Sequence, residues 1–577
     1  MKYYYEERIG NPELFTGRTK ELTSLLNWIS KIKNRSSKST ALLSRRKTGK
    51  TAIIERLYNI TFHKNDTVIP FYFEIEEKDQ WLGTFSVDYF LTFIYQYLAF
   101  KTRKADYILQ PVKTFNNAME IAEKEEFDFI ADVVKSVHEL SKKEDADSLW
   151  GTVINCPRLV AEHYDERVVQ MIDEFQYINR HIFHDKEKTR QIDNLAGSYH
   201  RTCEYKNAPL LISGSWIGWL MDDINKMLYG RFMYFFLDKM PKDDLVEMVL
   251  KYSYDRNIPV TEKTAYILAE VSEGNPHYIS AIFDSYYEKK DLLTEQGIKK
   301  TLEYEVTRGV INTAWMEYID AAIPRINDSY AKKIVLYLSQ NRHRKIGRTE
   351  LKEKLGIKLS DPELEKKLRA LNKADIIDSD GGMYMGVQDN VFDKVFRGLY
   401  SDDIDKFIKQ EAPNEYKELF DNLSEKYKKL SGDFGRLKGA WAEFMFASHL
   451  RSNVLKNKNK YKSMINNFPD DFEFVAYKRV WSYNSPPMYE PQFQIDIFAE
   501  SDIDNYSLIG EIKNRKAKFS IQEAKEFQKK AMELIKIEQV KKFALFVFSL
   551  NGFNKNALKY LEKQGIAWTM NKDWLIS

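Results

Sequence analysis

Three stretches of the sequence carry side chains whose types and spacing suit phosphate chemistry. The first, Ser44-Arg45-Arg46-Lys47-Thr48-Gly49-Lys50-Thr51, follows the phosphate-binding pattern G-x-x-x-x-G-K-[ST] except at its first position. In such a loop, successive backbone N–H groups at a helix N-terminus surround the anionic phosphates. Gly49 lets the backbone come close, Lys50 reaches the β- and γ-phosphates, and the Thr51 hydroxyl binds Mg2+. Ser44 is small enough for the first turn, at some cost in strain. Ser44, Arg45, Lys47 and Thr48 complete the expected nucleotide-binding set.

The second stretch, "VVQMIDEF" (168–175), is an apolar run ending in two acids. Asp173 is expected in the Mg2+ shell and Glu174 as the general base that polarises the attacking water. An acidic pair at a strand end is, taken alone, more often a helix cap. Its place roughly 120 residues after the loop gives it the other meaning. A further run ends in "ISGSW" (212–216), where Ser213 or Ser215 is placed to sense a γ-phosphate, although Ser also suits a strand-to-helix turn.

The third stretch is "FQIDIFAESDIDNYSLIGEIKNRKA" (493–517). Alternation along a strand points Glu511 and Lys513 to one face. Asp496 on a neighbouring strand can join Glu511 around a divalent metal, with Lys513 orienting the water that attacks a phosphodiester. Two basic runs lie nearby, "RSNVLKNKNKYKS" (451–463) and "KNRKAK" (513–518). With Tyr461 they could track a phosphate backbone; for the first run, a solvated charged loop is the competing reading.

These residues need a scaffold, and the pattern supplies one. Strands are expected at 40–44, 68–75, 167–173 and 208–215, alternating with helices, which argues for a parallel sheet flanked by helices. Residues 82–150 read as a helical insertion. A helical connector follows over 286–325. Residues 326–400 suggest three short helices and a hairpin turning at Asp380-Gly381-Gly382, a winged-helix order that serves DNA binding or a structural role. From 401 to 577 a second α/β domain is expected, entered through a helix at 435–450, with a strand at 541–549. The domains are thus 1–285, 286–325, 326–400 and 401–577, and the fold class is α/β multidomain.

Bulk composition bounds the reading. At 577 residues the chain exceeds a single core. With 88 basic against 85 acidic residues, any nucleic-acid surface must come from local clustering. Tyr and Phe number 35 each, which favours an aromatic core over base-stacking surfaces. Only Cys156 and Cys203 occur, so a disulfide framework or cysteine zinc site is excluded and a reducing cytoplasm is expected. The N-terminus lacks an apolar signal region. No apolar run of about 18 residues suggests a membrane span; the nearest, 85–100, carries Asp88 and reads as a buried helix.

Residues 14–285 resemble the archaeal-type P-loop ATPases of the STAND-like, AAA-related group, through "LFTGRTKEL" (14–22), "SRRKTGKT", "MIDEFQYI", "SGS", "YGR" (229–231) and "EGNPHYI" (273–279). The resemblance implies Phe15, Gly17 and Arg18 near the adenine, Pro276 near the base, and Arg231 as a phosphate sensor or subunit-contact residue, with an ordinary salt bridge as its alternative. Ser44 departs from the family's glycine and bears on hydrolysis more than on binding. The D-x14-E-x-K arrangement resembles the PD-(D/E)xK nuclease superfamily, and the order of parts is similar to ATPases carrying a DUF234-like C-terminal region. That second resemblance implies Glu443 as an early helical acid completing the metal site and Gln522 as a polar helper, with Gln528 as alternative.

Together these imply an ATP-dependent or ATP-gated nuclease using Mg2+ or Mn2+, set in defence or mobile-element biology. Nucleic acid is the expected partner, DNA ahead of RNA, with a homo-oligomer and no membrane. The rival is a signalling or scaffold ATPase whose C-terminal domain only binds nucleic acid or protein. A remodelling motor with an accessory nuclease is a third reading, weakened by the lack of a helicase motif set.

Overall fold

The computed structural model describes residues 4–64, 67–214, 217–322, 329–341, 344–387, 389, 391–392, 395, 442–486, 489, 491–515 and 517–575. Ser215 and the first part of the 435–450 helix lie outside them. The chain forms two compact units. One comprises Met1–Met240, Glu273–Tyr278 and Glu305–Lys409, the other Pro241–Ser272, Ile279–Tyr304 and Gln410–Ser577. Residues 241–272 and 279–304, which the sequence reading places with the first domain and the connector, group with the C-terminal residues.

The first unit is built on a five-stranded parallel sheet. Its strands are β1 (Thr40–Leu43), β2 (Val68–Glu74), β3 (Arg167–Asp173), β4 (Leu210–Gly214) and β5 (Met233–Phe236), in the order β2-β3-β4-β1-β5. All four residues of β1 are buried, and all of β3 except Arg167, as expected of near-continuous apolar strands covered on both faces. β4 lies between β1 and β3, with Leu42 beside Ser213 and Ile172 beside Ile212. This register brings the C-terminal ends of β1, β3 and β4 together, at the sheet edge where such folds bind ligands.

Helices α1 (Thr19–Lys33), α2 (Lys50–Lys64) and α3 (Leu82–Thr102) flank the sheet. Fifteen of the 21 residues of α3 are buried, while Asp88 faces solvent. Four further helices, Phe115–Lys124, Asp128–Ser141, Ala146–Val153 and Cys156–His163, form the insertion before β3. The aromatic residues serve the core. Phe71, Phe73, Phe85, Tyr89 and Trp150 meet with centroids 5.2–5.7 Å apart. Cys156 and Cys203 are free and buried. Among the described residues no helix is long and apolar enough to cross a membrane.

One buried acid on α2 gives the first unit a pH-dependent stability. Glu55 is fully buried and accepts a hydrogen bond from Arg8 N at 2.8 Å. Burial pushes its carboxyl up from an ordinary 4.5 to about 7, against the opposing effect of Arg8. Since the folded value lies above the unfolded one, ionised Glu55 costs no stability below pH 4.5 and its full cost above about pH 7. That cost is on the order of 3 kcal/mol. Glu55→Gln is therefore expected to raise the unfolding midpoint at pH 8, with most of the gain gone at pH 5, as read by thermal denaturation at the two pH values.

Later in the first unit, α4 (Ser329–Gln340), α5 (Arg348–Lys354) and α6 (Asp361–Lys373) precede an antiparallel hairpin of β6 (Ile377–Asp380) and β7 (Met383–Gly386). Gly381 and Gly382 have φ of 58° and 81°, the left-handed pair a tight two-residue turn requires. Ile334, Leu338, Leu351, Leu364, Leu368 and Tyr384 form its core.

The second unit holds a mixed sheet, β8 (Arg479–Asn484), β9 (Gln494–Glu500), β10 (Ser507–Lys513), β11 (Phe543–Ser549) and β12 (Ala567–Thr569), in sequential order. β8–β9 and β9–β10 pair antiparallel, and β10–β11 and β11–β12 parallel. Helix α7 (Ile521–Ile537) opens on a reciprocal Ser520–Glu523 capping box, and α8 (Lys555–Lys563) follows β11. Ile509 of β10 packs with Phe527, Ala531 and Leu534 of α7. Glu511 and Lys513 follow Ile509 in alternation and so share the face that α7 covers.

Candidate functional site

At the sheet edge of the first unit, α2 starts at Lys50, so Lys50 and Thr51 occupy its first turn. There the backbone N–H groups lack intrahelical partners. The Thr51 hydroxyl donates to Asp173 Oδ2 at 2.8 Å. Lys50 Nζ lies 3.8 Å from Asp173 Oδ1 and 3.3 Å from Glu174 Oε1. The Ser213 hydroxyl donates to Asp173 Oδ1, which also accepts from Glu174 N. Burial alone would push the Asp173 carboxyl up. Lys50, the Ser213 and Thr51 hydroxyls and the Glu174 N–H outweigh it and hold the group below its usual range. Lys50, Thr51, Asp173, Glu174 and Ser213 are thus brought together.

Around them the loop differs in detail from the sequence reading. Left-handed backbone falls at Lys47 (φ 65°) and Gly49 (φ 89°), not at Ser44, so the expected strain sits beyond the position where a glycine was missing, at Lys47. Ser44 is buried, and its Oγ has no hydrogen-bond partner among the described residues. A Cβ on Gly49 would lie 3.7 Å from Pro276 Cγ, which places Pro276 over the loop. Arg18, buried and itself left-handed at φ 58°, donates to Thr48 O at 3.0 Å and so ties the segment of Gly17 and Phe15 to the loop. The Phe15 ring lies under the Arg56 guanidinium at 4.4 Å.

Two loop-associated arginines go elsewhere. Arg45 forms an ion pair with Asp378 of the β6–β7 hairpin. Arg231 pairs with Glu204 at 3.1 Å and donates to Tyr229 O at 3.0 Å, the ordinary salt bridge that was its alternative reading. Sequence reading missed a pocket beside the loop, lined by Arg46, Lys47, Asn275, His277, Tyr278 and Trp315. Burial, with help from Lys47 and Arg46, pushes His277 down to about 4, so its ring is neutral at pH 7. Gln176, whose amide Nε2 donates to Glu174 Oε2, was also missed.

In the second unit, Ile497 pairs with Gly510, which sets Asp496 across from Glu511 on neighbouring strands. Asp496 Oδ2 accepts from Ile512 N at 2.7 Å. Lys513 Nζ lies 2.6 Å from Glu511 Oε1 and 3.6 Å from Asp496 Oδ2. Glu443 stands on a helical stretch over 442–448 that continues as a π turn, His449–Asn453. Burial, then the Asp496 charge, pushes the Glu443 carboxyl well up; Glu247 and Glu511 add to this and Lys513 opposes it. Burial likewise raises Asp496 and Glu511, against Lys513 and Lys530. Lys530 and Glu247 were not singled out from sequence, since only the seating of their helices reveals them.

The donor set suits a hard divalent cation: three carboxylates, Glu511 buried and Glu443 and Asp496 half-buried, with Glu511 Oε2 lacking a hydrogen-bond partner among the described residues. As placed, no three His, Cys, Asp or Glu side chains among the described residues close into a ready cage, and the Lys513 ammonium sits between Asp496 and Glu511 instead.

The helper residues and the basic run are placed differently from expectation. Gln522 is exposed on the first turn of α7, and Gln528 bonds to Tyr560 and Gln564 at 2.6 and 3.1 Å. The 451–463 run is mostly helical, through His449–Asn453, Val454–Lys456 and Lys458–Ser463. Tyr461 is buried, its hydroxyl 2.9 Å from His449 Nδ1 and its ring 5.0 Å from Trp574, so it offers no face to a base. Lys456, Lys458 and Lys460 are exposed.

No family model and no curated protein sequence matches this chain. Solved structures similar to it include a Walker-type ATPase of Pyrococcus abyssi, at 17% identity and a TM-score of 0.47, over 69% of this chain and 100% of that one. The ORC2 protein of Aeropyrum pernix, in its ADPNP–ADP complexes, is similar at 10% identity and a TM-score of 0.37, over 67% of this chain and 94% of its own. The RuvB Holliday junction branch migration motor of Thermotoga maritima is similar at 13% identity and a TM-score of 0.31, over 71% and 100%. Likeness at this level transfers no activity, and function is argued from the side chains of the two sites.

Proposed function

We propose that this chain is an ATP-binding and ATP-hydrolysing protein whose second unit cuts the phosphodiester backbone of nucleic acid, with ATP as its gate. The observation that carries the nucleotide half is Lys50 held between Asp173 and Glu174, with Thr51 and Ser213 bonded to the same Asp173 carboxylate. On binding, Lys50 exchanges the acids for the β- and γ-phosphates, and Ser213 and the first-turn N–H groups of α2 face the same charge. Thr51 and Asp173 would hold Mg2+, which supplies charge neutralisation at the phosphates. Released from Lys50, Glu174 orients the attacking water and takes its proton.

For the nuclease half, Glu443, Asp496 and Glu511 would hold Mg2+ or Mn2+, which supplies stabilisation of the charge that develops on the phosphate. Lys513, kept ammonium by the acids despite burial, orients the water and the scissile phosphate. Exposed Lys456, Lys458 and Lys460 suit backbone contact without base stacking. The winged-helix reading of α4–β7 and the preference for DNA belong to the same proposal. Homo-oligomerisation rests on the family resemblance alone, since Arg231 pairs with Glu204 of its own chain.

The second reading, a signalling or scaffold ATPase with a non-catalytic C-terminal domain, is favoured by the lysine standing where a closed metal cage would be. Incubating the full chain with single- and double-stranded DNA and RNA, with Mg2+ or Mn2+, and with or without ATP separates the two. Metal-dependent cutting that changes with ATP is expected; no cutting in any condition leaves the second reading.

Ser44 bears on whether ATP acts as a held switch. Its partnerless buried hydroxyl lies at the start of the loop, where the pattern has no side chain. Ser44→Gly is expected to raise the steady-state hydrolysis rate about tenfold or more, the rate equivalent of the roughly 1.4 kcal/mol that a buried hydroxyl without a partner costs. An unchanged rate removes the switch.

A further inference from the structure

Glu174 is the acid proposed to handle the attacking water, and its backbone N–H donates to Asp173 Oδ1. It occupies a left-handed conformation at φ 53°, just beyond the last residue of β3. One carboxylate oxygen, Oε1, contacts Lys50 Nζ, a contact that must break when the phosphates claim the lysine. The other oxygen, Oε2, accepts from the Gln176 amide, and Gln176 is completely buried. On its far side, Gln176 Oε1 abuts the end of β4. A Cβ on Gly214 would fall 2.1 Å from that oxygen. Gly214 follows Ser213, which holds the Asp173 carboxylate. The amide is thus wedged between the water-handling acid and the strand that ends at the γ-phosphate position.

We propose that Gln176 is a positioning residue for Glu174: once Lys50 has turned to the nucleotide, the Gln176 amide holds the carboxylate, braced against β4 at the glycine that leaves it room. This inference rests on the nucleotide-site reading. It assigns Gln176 no contact with nucleotide; it acts through Glu174. A side chain at Gly214 would crowd the amide.

The test is ATP hydrolysis with Mg2+ by the full chain, with nucleotide binding and thermal midpoint measured on each variant. Gln176→Leu is expected to lower kcat about a hundredfold, the effect of a misplaced reacting group, with Kd within about threefold of wild type. Gly214→Ala, which keeps the amide and crowds it, is expected to lose kcat in the same way. Gln176→Glu sets two carboxyls side by side, which share a proton. Its rate is expected to fall as pH rises and the pair ionises fully, a limb the wild-type profile lacks. Unchanged kcat in both Gln176→Leu and Gly214→Ala overturns the inference. So does a loss in which Kd and thermal midpoint collapse together while the Gln176→Glu profile keeps the wild-type shape. Absence of both binding and hydrolysis in the wild type overturns the underlying nucleotide reading instead, before any variant is compared.

Discussion

Asp496→Ala is expected to lower metal-dependent cutting by about a thousandfold or more, while ATP hydrolysis stays within about twofold of wild type. Asp496 stands across from Glu511 and is one of three acids able to ligate a cation there. Losing one hard ligand removes several kcal/mol of charge stabilisation at the phosphate, and about 4 kcal/mol corresponds to about a thousandfold in rate. The substitution is not expected to unfold the second unit. Burial already pushes the Asp496 carboxyl up, so deleting it relieves a buried charge, although Ile512 N loses its acceptor. Asp496→Asn keeps an acceptor and removes the charge, and the same loss of cutting is expected from it. Cutting assays on labelled DNA with Mn2+, beside ATP turnover on the same preparations, check both halves.

The second large effect is at Lys50. Lys50→Ala is expected to lower ATP hydrolysis by about a hundredfold to a thousandfold, the range for removing a fixed cationic or hydrogen-bond donor from a developing charge. In the nucleotide-free arrangement the same lysine neutralises Asp173 and Glu174, and it is 6% exposed. Removing it leaves Asp173 with the Ser213 and Thr51 hydroxyls and the Glu174 N–H. Some loss of thermal stability is therefore expected, and measuring the midpoint separates it from lost chemistry. If ATP gates the second unit, cutting by Lys50→Ala no longer responds to ATP. Cutting that responds as in wild type excludes gating through this loop.

How far the sequence could be read depended on whether a feature was local. β3 ends at Asp173 as read, because a run of apolar residues followed by two acids defines both the strand and its exit. The Gly381–Gly382 turn was legible for a similar reason, since two adjacent positive φ values call for glycine. Asp496, Glu511 and Lys513 fell together because strand alternation is a rule of period two. What depends on distant packing was not legible. Tyr461 is buried by Trp574, and Arg45 is drawn to Asp378, 333 residues away. Lys530 faces the carboxylates only because α7 seats Phe527, Ala531 and Leu534 on Ile509. The strain assigned to Ser44 came from the motif's glycine; φ placed it at Lys47 instead. Gln176 stood in view beside Glu174, but its role needed Gly214 from another strand.

The central claim is that the loop from Ser44 to Thr51, completed by Asp173 and Ser213, holds a nucleotide. Equilibrium titration of ATP into the full chain, with Mg2+ and with EDTA, tests it most directly. The expected result is one site per chain, tighter with Mg2+, and lost in Lys50→Ala at an unchanged fold. A wild-type chain that takes up no ATP, or a Lys50→Ala chain that binds it equally well, contradicts the account.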